Sequence, residues 1–445
     1  MSAKISRDQG LLREIFALVA VMGELFVVES FLHVQSASQD AVNTYKSGGE
    51  IMDIVVGGFG ELRNAACPGI EQLILKAGGN ASNDSDDAAL LSRGRLLADV
   101  PSPTWMELHT AADGSQVLYA VLEDTNEIAS FRVEGAGDSL RLVELSRVPT
   151  PGHAVTHVVF VRDDEGQGRL ITADYADGYV CVHPVTESGV ILEVAQMLRG
   201  EGHGPLPAQE CSHAHWVQPL PDGRVLTSDL GADRIYVHHW EHGELIREGA
   251  VTLAPGTGPR DQHLLPVDSD DPAHDWRVAV VGEWGGTVTL IGPEPGHDAK
   301  HSDNGTIRVL QTVSLGPDAL PKPDQAASLA FVPWNALQGN AGAAAASEGI
   351  AGLAYVGLRG SERIVTLLWD GKRLTRLDEP DVLGWRGRGI DCAGSRPRHL
   401  LAIGNLLLAA NEASNNVAIF RLSADGEPNL AATLPSGAPT VFVRL

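Results

Sequence analysis

Two stretches of this sequence decide its fold: RLITADYADGYVCVH at residues 169–183 and RVLTSDLGADRIYVH at residues 224–238. Each stretch has an apolar run, a short polar turn that contains Asp and Gly or Ala, and a second apolar run. This order is typical of a β-hairpin. Because the two hairpins have the same length and similar turns, they indicate an internally repeated β-structure.

The hairpin recurs along the chain. Further copies are VLYAVLEDTNEIASF (117–131), RVAVVGEWGGTVTLI (277–291), LAYVGLRGSERIVTLL (353–368) and NLLLAANEASNNVAIF (405–420). The first strands are predicted to end at Leu122, Asp174, Asp229, Gly282, Leu358 and Asn411, which stand 52, 55, 53, 76 and 53 residues apart. The long interval holds a low-complexity segment, residues 335–350, that we predict to be a surface loop. A weaker seventh copy, IMDIVVGGFG, ends its first strand near Gly58.

These repeats predict the fold class. Units of about 50 residues, each with room for four strands, cannot bury both faces of their sheet alone and must pack on one another. We therefore predict an all-β fold, a seven-bladed β-propeller of four-stranded antiparallel blades over residues 49–445. The segment PTVFVRL (439–445) is predicted to be a last strand that closes the ring against the first blade. A WD40 propeller is not favoured, because the dipeptide Trp369-Asp370 does not recur at the repeat spacing.

Composition limits the partners. The chain has 445 residues, with 33 Lys and Arg against 57 Asp and Glu and a net charge of −24. This charge argues against nucleic acid or an anionic membrane as a partner, and an anionic ligand would need local Arg or His. The four cysteines, none in a CxxC pair, are expected to be unpaired thiols of a reducing compartment. We predict a cytoplasmic protein that is a monomer or a weak homo-oligomer.

The N-terminal segment does not match the repeat. Residues 11–34 are rich in apolar side chains, but Arg13, Glu14, Glu24 and Glu29 interrupt them, so we predict no membrane span and no secretory signal. Residues 1–48 are predicted to be an extension, helical or poorly ordered. A translation start near Met52 is an alternative interpretation.

Polar side chains stand at two recurring positions. Ahead of the predicted strand ends, His157, His215, Asp261 and His399 are expected to be equivalent residues of successive blades. Directly after the strand ends stand Glu123, Tyr175, Leu230, Glu283, Arg359 and Glu412. Inner strands of a propeller surround a central channel, so these distant residues should meet at one end of it. Arg260 and Arg398 directly precede two of the first set and should join them.

The chain resembles the seven-bladed lactonase family, which includes propeller-type 6-phosphogluconolactonases and carboxy-cis,cis-muconate cyclases. The resemblance covers roughly residues 50–445. It is carried by QECSHAHWVQPLPDGRVLTSDLGADRIYVH (209–238), GTGPR (256–260), GEWGGTVT (282–289), GLRGSERI (357–364) and SRPRHLLAIGNLLLAANEASNNVAIF (395–420). The chain departs from the family at Ser212, where Pro is usual, at Asp261, where His is usual, and at Gly282 and Leu358, where Asn is usual.

The resemblance implies an enzyme. The family's cyclase branch implicates a His, two Arg and a Glu, which fall here on the pair His213 and His215, on Arg260 and Arg359, and on Glu283. It implies a cofactor-independent carboxylic ester hydrolase that acts on a small anionic sugar lactone, with 6-phosphoglucono-1,5-lactone, a substrate of the pentose phosphate pathway, as the expected one. Arg398, His399, His157 and Asp261 are predicted to bind the substrate.

The residue chemistry leaves alternatives open. Hydrolysis of a lactone needs a base, donors for the developing oxyanion and a holder for the substrate. Glu283 is the predicted base, and a structural Arg–Glu pair is its alternative. His213 and His215, two apart on a predicted strand, should share one face and could bind a metal, although we predict none. The alternative functions are hydrolysis of another lactone, cycloisomerisation of a muconate, and a non-enzymatic role as an interaction propeller.

Overall fold

The computed structural model describes residues 50–77, 90–271, 273–293, 306–316, 324–337, 351–377 and 389–445. They belong to one compact unit that spans residues 47–445. The predicted N-terminal extension and its helix lie outside the described residues, as do most of the segment 335–350 and the acidic insertion near residue 85. Within the described ranges, no helix is long and apolar enough to cross a membrane.

The strands form seven antiparallel sheets, the blades of a propeller, as predicted. The first blade comprises β1 (Glu50–Gly58), β2 (Ile70–Ala77), β3 (Leu91–Ala98) and β29 (Pro439–Arg444). The second comprises β4 (Trp105–Thr110), β5 (Gln116–Leu122), β6 (Glu127–Glu134) and β7 (Arg141–Pro149). The third comprises β8 (Val155–Arg162), β9 (Gly168–Asp174), β10 (Tyr179–Pro184) and β11 (Gln196–Arg199).

The other blades follow in chain order. The fourth comprises β12 (Ala214–Pro219), β13 (Val225–Asp229), β14 (Arg234–Glu241) and β15 (Glu244–Thr252). The fifth comprises β16 (Pro259–Leu265), β17 (Arg277–Gly282), β18 (Thr287–Pro293) and β19 (Ile307–Ser314). The sixth comprises β20 (Ala326–Pro333), β21 (Gly352–Leu358), β22 (Arg363–Trp369), β23 (Leu374–Arg376) and a short β24 (Ile390–Asp391). The seventh comprises β25 (Pro397–Ile403), β26 (Leu406–Asn411), β27 (Asn416–Leu422) and β28 (Pro428–Pro435). Short 3₁₀ helices span Glu61–Arg63, Gly137–Ser139, Pro207–Gln209 and Trp334–Ala336.

The predicted strand ends are confirmed in every blade. The second strand, counted from the channel, ends at Gly58, Leu122, Asp174, Asp229, Gly282, Leu358 and Asn411. In six blades the turn after it ends on a residue with positive φ, and these residues are Asn126, Gly178, Asp233, Gly286, Glu362 and Asn415. This left-handed conformation favours Gly, Asn and Asp, which explains why these types recur in the repeat.

The ring closes through the C-terminal strand. β29 pairs with β1, so Val441 lies opposite Gly57 and Arg444 opposite Ile54. This arrangement confirms the predicted closure of the ring by the segment 439–445. It makes β29 the innermost strand of the first blade, between the innermost strands β25 and β4 of its two neighbours.

The apolar core lies between blades rather than within them. Seven clusters of buried apolar residues each join two adjacent blades, for example Val55 and Ile70 of the first blade with Leu118 and Phe131 of the second. Because a blade buries its faces only against its neighbours, every blade depends on the closed ring.

Six of the seven innermost strands have a β-bulge at the same place. The pairing register shifts between Val155 and His157, between Ala214 and Trp216, between Pro259 and Asp261, and at corresponding places in β20, β25 and β29. A bulge sets two residues opposite one partner residue and re-aims a side chain. In these strands it turns consecutive residues toward the channel.

Candidate active site

Two rings of side chains lie at one end of the channel. The bulge ring is formed by the bulged residues and their equivalents, which are Thr104, Thr156, His215, Arg260, Ala327, Arg398 and Thr440. The turn ring follows the second strands and comprises Phe59, Glu123, Tyr175, Leu230, Glu283, Arg359 and Glu412. Each backbone N–H of the turn ring donates to a carbonyl just ahead of the innermost strand of its own blade, for example Glu283 to Gly258 at 2.8 Å. This repeated bond places both rings at the same end of the channel.

All members of the bulge ring except Ala327 line a cavity. Its empty volume of about 370 Å³ includes open solvent, and the space within it that the centre of a water molecule can occupy is about 20 Å³. The lining is completed by Trp105, Glu123, Trp216, Asp261, Ser328 and His399. The cavity thus gathers five of the predicted site residues, which are His215, Arg260, Asp261, Arg398 and His399.

Arg260, Glu283 and Arg359 form a buried ion triad beside this cavity. Arg260 Nε lies 3.1 Å from Glu283 Oε2, and Arg359 Nη2 lies 2.7 Å from Glu283 Oε1. All three side chains are at most 10% exposed. Arg260 Nη1 also donates to the carbonyl of Ala327. Arg260 Nε and Arg359 Nη2 are close to the carboxylate without an aligned N–H, so charge holds the triad more than directed hydrogen bonds do.

The triad sets the charge of its members. Burial raises the pKa of Glu283, but the positive charges of Arg359 and Arg260 outweigh burial and bring that pKa below its usual value. Burial and the repulsion of Arg359 and Arg398 lower the pKa of Arg260 to about 9. At neutral pH Glu283 is therefore ionised and Arg260 is still charged. A carboxylate with a lowered pKa is a weak base, and its position between two guanidinium groups suits a counter-ion that orients them.

Arg398 also lines the cavity and is partly exposed. Its Nη1 donates to Glu412 Oε2 at 3.2 Å, and its guanidinium carbon lies 4.8 Å from the centroid of the Phe59 ring. Its side chain is 17% exposed, more than those of Arg260 and Arg359. Arg398 thus offers a positive charge that a ligand can reach from solvent.

His215 lies on the cavity wall as a neutral imidazole. Burial, followed by the charges of Arg260 and Arg398, holds its pKa well below 6.5. Its Nδ1 is buried and has no hydrogen-bond partner among the described residues. A neutral ring with a free nitrogen can accept or donate one hydrogen bond to a ligand or water, but it cannot serve as an imidazolium acid at neutral pH.

The expected equivalence of His215 with His157, Asp261 and His399 is wrong by one residue. Trp216, not His215, pairs in the register of Asp261, and the equivalents of His215 are Thr156, Arg260 and Arg398. The bulge causes the offset, because it inserts an extra residue that alternation along a strand does not show. His213 and His215 also do not share one face of a strand. His213 precedes β12, which begins at Ala214, and His215 lies in the bulge of that strand.

His157, Asp261 and His399 each follow directly after the bulged residue of their strand. Burial lowers the pKa of both histidines to about 3, although the charge of Asp261 opposes it. The His157 ring stacks on Trp105 and packs against Trp216, with centroids 4.9 and 3.9 Å apart. His399 Nδ1 accepts from the backbone N–H of Phe442 at 3.1 Å. His157 is not part of the cavity lining, so it contacts a ligand only through these tryptophans.

His213 lies outside the cavity. Its Nδ1 is 2.8 Å from the carbonyl oxygen of Tyr175, and its ring stacks on the Tyr175 ring with centroids 4.6 Å apart. The Tyr175 ring is nearly perpendicular to the His215 ring, with centroids 5.9 Å apart. The structure therefore brings His215 to the cavity lining and holds His213 against Tyr175, outside that lining.

Sequence reasoning missed several lining residues. The indole N–H groups of Trp105 and Trp216 are buried and have no partner in the part of the chain that the structure describes. A signal for them exists in the dipeptides Thr104-Trp105, His215-Trp216 and Arg260-Asp261, which hold the bulge position and the next one. Asp233 was also missed. Its carboxylate accepts from Gly256 N and Gly258 N, both at 2.7 Å, and so fixes the loop that leads to Arg260.

Comparison with known proteins places this geometry in a family. A family model described as a seven-bladed β-propeller lactonase matches residues 79–443. The chain belongs to this lactonase family. The family resemblance inferred from the sequence is thereby confirmed.

Relatives within the lactonase family are distant. The chain is 29% identical over 244 residues to a 6-phosphogluconolactonase of Bacillus subtilis, an alignment that covers 54% of this chain and 63% of the relative. The match therefore spans about three fifths of that relative's length. A periplasmic gluconolactonase of Pseudomonas aeruginosa has the same fold, with a TM-score of 0.67 and 22% identity over 89% of this chain and 99% of that one. A protein from Lactobacillus plantarum matches with the same TM-score and 21% identity over 89% of this chain and all of its own.

Proposed function

We propose that this chain hydrolyses the lactone ring of an anionic sugar acid, and that 6-phosphoglucono-1,5-lactone is its substrate. The observation that carries the proposal is that Arg260 and Arg398 line one cavity, with Arg359 joined to Arg260 through Glu283, in a chain of net charge −24. Family membership and the name of the Bacillus subtilis relative support the same reaction.

The buried arginines and the more exposed Arg398 have different roles in this proposal. Arg260 and Arg359 are buried and held by Glu283, so their charge is fixed in place before the substrate arrives. Such a preorganised charge suits the oxyanion that develops on the lactone carbonyl. Arg398 is closer to solvent and suits the phosphate at the other end of the sugar, through charge-assisted hydrogen bonds.

Water supplies the nucleophile. Its oxygen attacks the carbonyl carbon, its proton passes to a basic group, and the bond from that carbon to the ring oxygen breaks as the ring oxygen takes up a proton. His215, with a buried and unpartnered Nδ1, is the group we assign to orient the water. Burial and the charges of Arg260 and Arg398 disfavour its imidazolium form, so we assign the proton to Glu283, which is ionised at neutral pH although two arginines hold it.

The interaction propeller is the competing interpretation, since a Glu held by two arginines also suits a structural role. The unpartnered polar atoms of two cavity-lining residues, His215 Nδ1 and Trp216 Nε1, favour a ligand site, because buried polar atoms are nearly always paired in the complete complex. The reaction needs no cofactor in this proposal. We place it in the cytoplasm, where the four free cysteines fit a reducing environment.

Two substrates test the proposal. Hydrolysis of freshly generated 6-phosphoglucono-1,5-lactone and of the unphosphorylated glucono-1,5-lactone would be measured above the spontaneous rate, with and without a chelator. We expect Arg398→Ala to raise KM for the phosphorylated lactone by about 10-fold or more and to leave the other lactone unchanged. We expect Arg260→Ala to lower kcat for both by about 100-fold or more, as loss of an oxyanion donor does.

Arg199→Ala is the matched control. Arg199 lies on the outer strand β11 and packs over the Tyr179 ring, away from the cavity. This variant should keep the wild-type rate on both lactones. A folded wild type without activity on either lactone would overturn the proposal, and equal effects of Arg398→Ala on both lactones would overturn the assignment of the phosphate.

A further inference from the structure

Three side chains of metal-binding type gather in the loop that precedes β12. They are Glu210, Cys211 and His213, and one ligand atom from each lies within 4.8 Å of the other two. His213 Nε2 is 3.9 Å from Cys211 Sγ and 3.7 Å from Glu210 Oε2. The edges of a tetrahedral zinc site with these donors are roughly 3.3 to 3.6 Å long. Both distances are somewhat longer than these edges, so closing the site takes rotations of the Cys211 and the Glu210 side chains.

The hydrogen bonding of His213 leaves one ring nitrogen ready for a metal. Its Nδ1 lies 2.8 Å from the carbonyl oxygen of Tyr175, which can only accept, so Nδ1 carries the proton and donates. The lone pair is therefore on Nε2, the atom that faces Glu210 and Cys211. A bond from the second ring nitrogen to a backbone carbonyl is the usual support of a metal-bound histidine, because it fixes the tautomer and the ring orientation.

The backbone holds this loop in place without a metal. Ser212 Oγ and His213 N donate to the carboxylate of Asp229 at 2.6 and 2.9 Å. Gly231 lies so close that a Cβ there would stand 1.8 Å from the carbonyl oxygen of Cys211 and 2.8 Å from the His213 ring. The ligand side chains thus project from a fixed backbone, which reduces the entropy lost on binding.

We propose that Glu210, Cys211 and His213 form a binding site for one soft divalent cation of the zinc class. Imidazole and thiolate donors favour such a cation over the hard cations Mg²⁺ and Ca²⁺, which prefer oxygen. Glu210 is exposed and Cys211 partly exposed, so the cation enters from solvent and keeps an open position. Binding displaces the thiol proton, so affinity rises with pH.

The site lies beside the channel mouth and does not depend on the proposed reaction. The Tyr175 ring contacts both histidines, stacked on His213 and nearly perpendicular to His215, with centroids 4.6 and 5.9 Å apart. A cation bound to His213 Nε2 withdraws electron density from the imidazole ring of His213 and adds positive charge near the cavity.

Cation binding to the full chain tests the site. The protein is freed of metal with a chelator and then titrated with Zn²⁺ against a chromophoric competitor, and in parallel with Co²⁺. We expect one equivalent of Zn²⁺ to bind and the Co²⁺ complex to show the ultraviolet charge-transfer band of a cobalt–thiolate bond. Cys211→Ser should abolish that band and weaken Zn²⁺ binding more than about 10-fold, as should His213→Gln.

Two variants control for position and folding. Glu201→Gln changes a neighbouring exposed carboxylate outside the cluster and should bind Zn²⁺ like the wild type, whereas Glu210→Gln should bind it less tightly. The thermal unfolding of each metal-free variant shows whether the fold is intact. The proposal is overturned if the wild type gives no cobalt–thiolate band, or if Cys211→Ser binds Zn²⁺ as tightly as the wild type. A wild type that shows the cobalt–thiolate band but hydrolyses neither lactone would overturn only the proposed function.

Discussion

The ion triad makes a quantitative prediction for Glu283→Gln. The substitution keeps the shape of the side chain and removes the one carboxylate that lies 3.1 Å from Arg260 Nε and 2.7 Å from Arg359 Nη2. Removing one partner from a buried ion pair costs about 3–5 kcal/mol, because the remaining charge stays buried and unpaired. Two guanidinium charges remain here. We therefore expect the free energy of unfolding to fall by about 3–5 kcal/mol, measured by urea unfolding with tryptophan fluorescence.

Glu412→Gln is the matched comparison for this experiment. Glu412 pairs with Arg398 at 3.2 Å and with Arg396 at 3.8 Å in a more exposed position, with 19% of its side chain accessible. We expect this loss to be about 1 kcal/mol and to shrink in high salt, while the loss for Glu283→Gln persists. A cost below about 1 kcal/mol for Glu283→Gln, or one that vanishes in salt, would refute a buried triad.

Three further perturbations test the site. Binding of 6-phosphogluconate by calorimetry should weaken as pH rises through about 9, where Arg260 loses its proton, and constant affinity to pH 10 would contradict that role. The value of kcat/KM should stay flat from pH 5 to 7, because the pKa of His215 lies well below 6.5; an acid limb near 6.5 would show that an ordinary histidine controls the reaction. Asp233→Ala should lower the free energy of unfolding by about 1–3 kcal/mol and lower activity, since it leaves the N–H groups of Gly256 and Gly258 without an acceptor. Asp233→Asn keeps an acceptor and should cause smaller losses of stability and of activity in the same urea and rate measurements.

The repeat was readable from the sequence because turn chemistry and strand length constrain it together. The strand ends at Asp229, Gly282 and Asn411 were found correctly, since each is followed by a turn whose last residue must adopt a left-handed backbone. Position in the repeat then placed Glu283 and Arg359 in one ring of the channel. Burial on both faces of each blade made the apolar runs continuous, which is why the strands were easy to see.

The register of the inner strands was not readable in the same way. A bulge adds one residue without changing the apolar pattern, so His215 was aligned with Asp261 instead of with Arg260. The packing of Trp105 against Trp216, with centroids 4.6 Å apart, joins two blades that are not adjacent along the ring. Such a contact depends on the radius of the channel, a property of the closed ring that no single repeat encodes.

The closing strand has a consequence for synthesis of the protein. β29 supplies Thr440 to the cavity, and the backbone of Phe442 donates to His399, so the binding site is incomplete until residues 439–444 have left the ribosome. Until then β1 presents an unpaired strand edge, and the first blade lacks the strand that joins it to the seventh. A nascent chain of this length is therefore exposed to edge-to-edge aggregation for most of its translation. Chaperone capture should be strongest just before this segment emerges.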